Sequence, residues 1–175
     1  MRASGSSWTS YPNRSSNRMA NQIFEVEQFV PLPREEVFEF FSTPRNLEAI
    51  TPPWLKFRIV HESAPQPGEG VEYTYKLLMR GLPMKWRSRL IEWKPGERFV
   101  DIQLQGPYAE WHHTHTFEDA EGGTLIRDRV SYRLPFGWVG RLFGGRLVAA
   151  DVRKIFSYRK GRTAELLLAP GSLGR

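Results

Sequence analysis

At 175 residues the chain is long enough for one domain with short tails, on a prior of roughly 150 residues per domain, and its many aromatics can fill a sizeable core. The absence of cysteine excludes disulfides, thiolate nucleophiles and cysteine-based zinc sites. No apolar run approaches the roughly 18 residues that span a bilayer. The net charge of +6 is unevenly spread, with +3 in residues 1–22, +7 in residues 133–175 and −4 in residues 23–132. An excess confined to a tail and a terminal helix does not mark a nucleic-acid partner, and none is expected.

Residues 1–22 are rich in Ser, Asn and Arg without apolar periodicity, and are expected to form a disordered tail. They lack the apolar stretch of a secretory signal, so a cytoplasmic location is expected. Their Arg- and Ser-rich, acid-free composition also fits an organellar transit peptide in part. A start at Met19 is preferred, because MANQIFEVEQ passes directly into a strand pattern. That strand covers 23–30, with Phe24, Val26 and Gln28 on one face and Ile23, Glu25, Glu27 and Phe29 on the other. Pro31 and Pro33 end it, and Pro33 is placed to open a helix near its first position.

The helix runs from Arg34 to Phe41, with Val37, Phe38 and Phe41 at helical spacing. A second short helix starts at Thr43-Pro44, with Thr43 as its cap, and ends before Thr51-Pro52-Pro53. Strands then follow with regular punctuation at 54–62, 70–79, 84–93 and 98–105, separated by PQPGEG, by Gly81 and Pro83, and by KPGE. Gly68-Glu69-Gly70 lacks the strand-to-helix setting of a phosphate loop and reads as a turn. Long runs with short turns predict one curved antiparallel sheet.

The most informative stretch is 111–134, WHHTHTFEDAEGGTLIRDRVSYRL. A two-residue turn at Glu121-Gly122 sets Ala120 opposite Gly123, and from there Phe117 opposite Ile126, His115 opposite Asp128, His113 opposite Val130 and Trp111 opposite Tyr132. One face then carries aromatic and aliphatic groups with three ionisable ones among them, which is how a cavity wall reads. The other face carries His112, three Arg and hydroxyl residues. Arg127, Arg129 and Arg133, with Arg87 and Arg89, are expected to form a solvated sheet surface. Trp54, Trp86, Trp93 and Tyr73 are expected in the core or on the cavity wall rather than as a base-stacking platform.

After Pro135 the period changes. Val148, Val152, Ile155, Phe156 and Arg159 fall on one helical face, with Arg153, Lys154, Lys160 and Arg162 opposite. A helix over 146–168, roughly 35 Å long, is predicted, interrupted or started by Gly144-Gly145. Residues 169–175 are expected to be a second tail. The basic helix face invites at most transient contact with an anionic membrane surface.

The order β-α-α-β6-α, with PLPREEVFEFFSTPRNLEAITPPWLKF, GLPMKWRSRLIEWKPGERFVDIQLQGPYAEWHHTHTFE and GGTLIRDRVSYRLP, resembles the START-like polyketide cyclase/dehydrase (SRPBCC) superfamily, specifically a bacterial ligand-binding subgroup, over about 23–160. The resemblance implies an α+β helix-grip fold: a seven-stranded curved antiparallel sheet wrapped around a long C-terminal helix. It also implies a cavity between sheet and helix for lipids, polyketides or other apolar molecules. Some members of the superfamily are cyclases or dehydratases.

The residues expected to bind such a ligand are Trp111, His113, His115, Phe117, Asp128, Val130, Tyr132, Asp101, Ile155 and Phe156. The first catalytic candidates are His115, Asp128 and His113, since a carboxylate that orients an imidazole raises its basicity. An odd loop around Gly106-Pro107 faces Asp101 to His113, and an even one turns it away. A His–Asp pair across two strands also satisfies two buried groups without any turnover, so ligand binding is expected first and cyclase or dehydratase activity second. Histidines at i and i+2 with an aspartate could bind zinc, but the spacing is common, and neither metal nor cofactor is expected.

Overall fold

The computed structural model describes residues 21–135 and 137–169, and only the backbone for 137–144. It contains β1 (Gln22–Val30), α1 (Arg34–Ser42), α2 (Pro44–Ile50), a 3-10 turn (Pro53–Leu55), β2 (Arg58–Glu62), β3 (Glu72–Met79), β4 (Leu82–Lys94), β5 (Arg98–Gln105), β6 (Glu110–Ala120), β7 (Gly123–Arg133) and α3 (Gly137–Leu167). The seven strands form one sheet in the order β1-β7-β6-β5-β4-β3-β2. Six strands meander. Only β1 departs, closing the sheet against β7, so that α1 and α2 carry the chain from one edge to the other. This is the α+β, helix-grip arrangement.

The β6–β7 register is the one that the Glu121-Gly122 turn dictates, from Ala120 opposite Gly123 to Trp111 opposite Tyr132. Gly122 has φ +77°, the left-handed conformation that such a turn needs and glycine tolerates. At the next position a side chain is excluded for another reason, since a Cβ on Gly123 would lie 2.2 Å from the Val30 carbonyl oxygen.

Several element boundaries depart from the sequence reading. Gln22, assigned to the tail, opens β1: it pairs with Tyr132 and accepts that residue's hydroxyl hydrogen bond at 3.0 Å. Residues 1–20 of the expected N-terminal tail, and residues 170–175, lie outside the described residues. Trp54 is not in a strand. The two prolines before it lead into a 3-10 turn that Lys56 ends in a left-handed conformation, leaving Trp54 45% exposed, against Tyr158 and beneath the Lys154 ammonium, neither core nor cavity wall. Thr43 does not cap α2, because its hydroxyl donates back to the Glu39 carbonyl at 2.8 Å. Strand β4 starts at Leu82 and runs through Pro83. In a two-residue hairpin with Arg80 and Gly81 at the turn, Pro83 falls at a non-hydrogen-bonded pair, so its missing N–H costs no ladder bond. Finally, α3 starts at Gly137 and continues through Gly144-Gly145, giving 31 residues and about 46 Å.

Two contacts seat α3 over the sheet. Between β1 and α3, the Gln28 side-chain amide donates to the Lys160 carbonyl and the Lys160 ammonium donates to the Glu27 carbonyl, each at 3.0 Å. At the other side Arg80, in the β3–β4 turn, reaches Asp151 at 2.8 Å. The outer face of the sheet is a ladder of cross-strand ion pairs, including Arg129 to Glu25 at 2.8 Å and Arg127 to both Glu27 and Glu118. These pairs are exposed and individually weak, and they make that face the solvated surface expected of it.

The candidate ligand cavity

The inner face of the sheet is covered unevenly, and the gap in that cover is the site. α1 lays Phe38 on Phe117 and Phe99, closing one end with Val30, Val37 and Ile126. α3 sets Val152 and Phe156 on Val130, Tyr132 and Phe24. Between them, above β3 to β6, a cavity of about 200 Å³ remains. Its rim is made by α2 and the 3-10 turn, and its wall is mostly aromatic. Trp86, Tyr108 and Trp111 cluster at one end with ring centroids 4.8–5.6 Å apart. Gln103 shapes that end: its amide donates to the Tyr108 carbonyl at 2.7 Å and its oxygen accepts from the Tyr108 N–H at 3.3 Å.

The polar part of the wall is compact. The β5–β6 loop has the odd parity, so Asp101 pairs with His113 and shares its face. His113 and His115 are 4% and 5% exposed, with rings 3.8 Å apart. His113 Nε2 is 3.0 Å from Asp128 Oδ1, and His115 Nδ1 is 2.7 Å from the same oxygen. The first contact has hydrogen-bond geometry. The second is off-axis, so it acts mainly through charge. Asp101 Oδ2 faces the remaining nitrogens, at 3.7 Å from His113 Nδ1 and 3.6 Å from His115 Nε2. Phe99 stacks on His115 at 4.2 Å.

Burial and pairing pull the charges of this cluster in opposite directions. Burial would raise the Asp128 pKa, but His115 and His113 outweigh it and hold the carboxylate well below its usual range. Burial would lower His115, yet Asp128 and Asp101 raise it above the ordinary imidazole value. Burial and the neighbouring His115 keep His113 below that value. The two imidazoles are therefore shifted in opposite directions, His115 upward and His113 downward. Nearby, the buried Tyr75 hydroxyl is 3.1 Å from the Ser88 hydroxyl, and burial drives its pKa up.

Of the residues expected to meet a ligand, Trp111, His113, His115, Asp101, Ile155 and Phe156 line the cavity. Asp128 stands one strand away on β7, behind the two imidazoles and outside the cavity lining. Phe117, Val130 and Tyr132 stand outside the cavity lining, in packed positions. They share the inner face but lie where α1 and α3 cover it, and they are at most 2% exposed. Arg159 was not expected at the site and lines it. It is held against Phe156, with its guanidinium carbon 5.4 Å from the ring centroid. Among the described residues it makes no hydrogen bond or ion pair. Burial lowers its pKa, while the charges of Asp128 and Asp101 oppose that shift. The available signal was an arginine on the apolar stripe of the last helix, eleven positions after Val148.

A family model described as polyketide cyclase / dehydrase and lipid transport matches residues 21–160. The chain belongs to this family. Among solved structures, a Chromobacterium violaceum protein superposes with a TM-score of 0.66 at 16% identity, covering 85% of this chain and 97% of that one. The di-domain ARO/CYC StfQ of the steffimycin biosynthetic pathway gives 0.62 at 15% identity, covering 85% of this chain and 52% of its own. At these identities both show the fold alone. A nucleoside-diphosphate sugar epimerase of Corynebacterium glutamicum gives 0.61 at 29% identity, covering 82% of this chain but only 29% of the epimerase. No curated protein sequence matches the chain. Among the described residues no helix is long and apolar enough to cross a membrane.

Proposed function

We propose that this protein binds a small, mainly apolar molecule in the cavity between its sheet and α3, with the polar group of that molecule set against Asp101, His113, His115 and Arg159. One observation carries the reading: the fold leaves an aromatic-walled space open at the place where the buried ionisable side chains gather. A volume of about 200 Å³ compares with the roughly 150 Å³ engineered cavity that holds benzene. It suits a one- or two-ring compound, polyketide-like in character, better than a full-length lipid chain. The aromatic walls favour flat rings for the same reason. Native mass spectrometry after mild extraction tests the proposal, with a co-purifying small molecule expected. Ile155→Trp, which fills the cavity from α3, should abolish its capture while the thermal midpoint stays close to the parent's. Unchanged capture by that variant would refute the site.

A second reading is favoured by the His–Asp cluster alone. An imidazole oriented by Asp128 and open to the cavity could exchange protons with a bound carbonyl compound, as a cyclase or dehydratase requires. Conversion of a bound polyketide-like substrate that His115→Ala abolishes, without loss of capture, would favour catalysis over holding.

A further inference from the structure

We propose that Asp101, His113 and His115 form a binding site for a divalent transition-metal ion of the zinc type, with Asp128 orienting both imidazoles from behind. The inference concerns this cluster whether or not the cavity takes an organic ligand.

The first argument is a count of protons. A neutral imidazole has one N–H and one lone pair. Here both nitrogens of both rings face carboxylate oxygens, at 2.7 and 3.0 Å on the Asp128 side and 3.6 and 3.7 Å on the Asp101 side. Carboxylates only accept. With neutral rings, two of the four nitrogens must direct a lone pair at an oxygen, which is repulsive unless something positive lies between. Protonating His115 alone still leaves the His113 Nδ1 lone pair facing Asp101 Oδ2, and protonating both rings sets two almost wholly buried cations 3.8 Å apart, which is costly. One divalent ion satisfies both rings and balances both carboxylates.

The second argument is where the gap lies. On the Asp128 side the separations are those of hydrogen bonds and close charge pairs. On the Asp101 side they are too long for hydrogen bonds. They lie a few tenths of an ångström beyond the edge of a tetrahedron with bonds near 2.1 Å, which is about 3.4 Å. The three donor atoms lie within 4.8 Å of one another, and small rotations of the side chains bring them onto one ion.

The third argument is the role of Asp128. Asp128 Oδ1 is hydrogen-bonded to His113 Nε2 and lies 2.7 Å from His115 Nδ1, so its charge favours the tautomers protonated at those atoms, which leave the lone pairs of His113 Nδ1 and His115 Nε2 facing Asp101, as carboxylates behind metal-ligating histidines do. All three ligands line the cavity, so the remaining coordination positions open into it. That is the layout of a site with an exchangeable ligand rather than a closed structural one.

The test uses the full chain without a polyhistidine tag. Chelator-treated protein is titrated with Zn(II) and, separately, with Co(II), whose visible bands report nitrogen and oxygen coordination, and metal content is measured after gel filtration. One ion per chain is expected. His115→Ala and Asp101→Asn should abolish stoichiometric binding. Asp128→Asn, which keeps the three ligands, should weaken it by about 10- to 100-fold. His112→Ala, on the same strand but the outer face, should leave it unchanged. If His115→Ala fails to fold by circular dichroism, the partly exposed Asp101→Asn decides. No saturable binding, or binding that Asp101→Asn does not alter, overturns the proposal.

Discussion

Replacing Asp128 by Asn should destabilise the metal-free protein, and the size of the effect should depend on pH in one direction. The Asp128 carboxylate holds two imidazoles, at 2.7 and 3.0 Å, in a buried setting. Charge-assisted contacts of this kind contribute about 1.5–3 kcal/mol each, and removing one partner of a buried charged group costs about 3–5 kcal/mol. Asparagine keeps one oxygen acceptor, so a loss of about 3 kcal/mol is expected, equivalent to a fall in thermal midpoint of roughly 6–12 °C for a domain of this size. His115 has a folded pKa above its unfolded value near 6.5, so its stabilisation is complete below about pH 6.5 and fades as pH rises through the folded value. Asp128 has a depressed folded pKa, so its contribution is present above about pH 4 and is lost in acid. The gap between parent and variant should thus be widest between about pH 4.5 and 6.5 and should narrow toward pH 9. Calorimetry in chelator-containing buffers across that range measures it. A gap that is constant, or that widens with pH, refutes the charge-pair account.

Phe117→Ala should cost about 3–5 kcal/mol in denaturant titration, since Phe117 is buried under Phe38 and Phe41, yet leave capture of the ligand by the surviving folded protein unchanged. Gly123→Ala should destabilise by about 1–3 kcal/mol, because the new Cβ meets β1 backbone that cannot move aside. Gly161→Ala should do the opposite, raising stability by about 0.5–1 kcal/mol, since it lies within α3 with open space around its Cα. Arg159→Met should preserve folding and reduce affinity for a ligand with an acidic or carbonyl head by about tenfold, the loss of one charge-assisted hydrogen bond, as read by quenching of the cavity tryptophans.

The hairpin around the histidines was the most legible part of the chain. A turn centred on Glu121-Gly122 sets every pair outward from it, and strand alternation then sorts His112 from His113 and His115 without any knowledge of the rest of the fold. The same local rule could not place Asp101. Its face depends on whether the loop around Pro107 adds an odd or an even number of residues, and Gln103 folded onto the Tyr108 backbone is what holds that loop. Arg159 was visible as an arginine on an apolar stripe, but an arginine there can equally reach past the sheet edge to solvent.

Local alternation therefore determined which side chains share the inner face of this sheet. Only the tertiary structure decided what each of them meets there. Phe117, Val130 and Tyr132 are as inward-facing as His113 and His115, and all five look equivalent along the strands. Which of them border the cavity is decided by the part of that face α1 and α3 leave uncovered, and the positions of those helices come from packing and side-chain contacts between residues far apart in sequence, such as Lys160 to Glu27 and Arg80 to Asp151. No short-range period in the sequence encodes that placement.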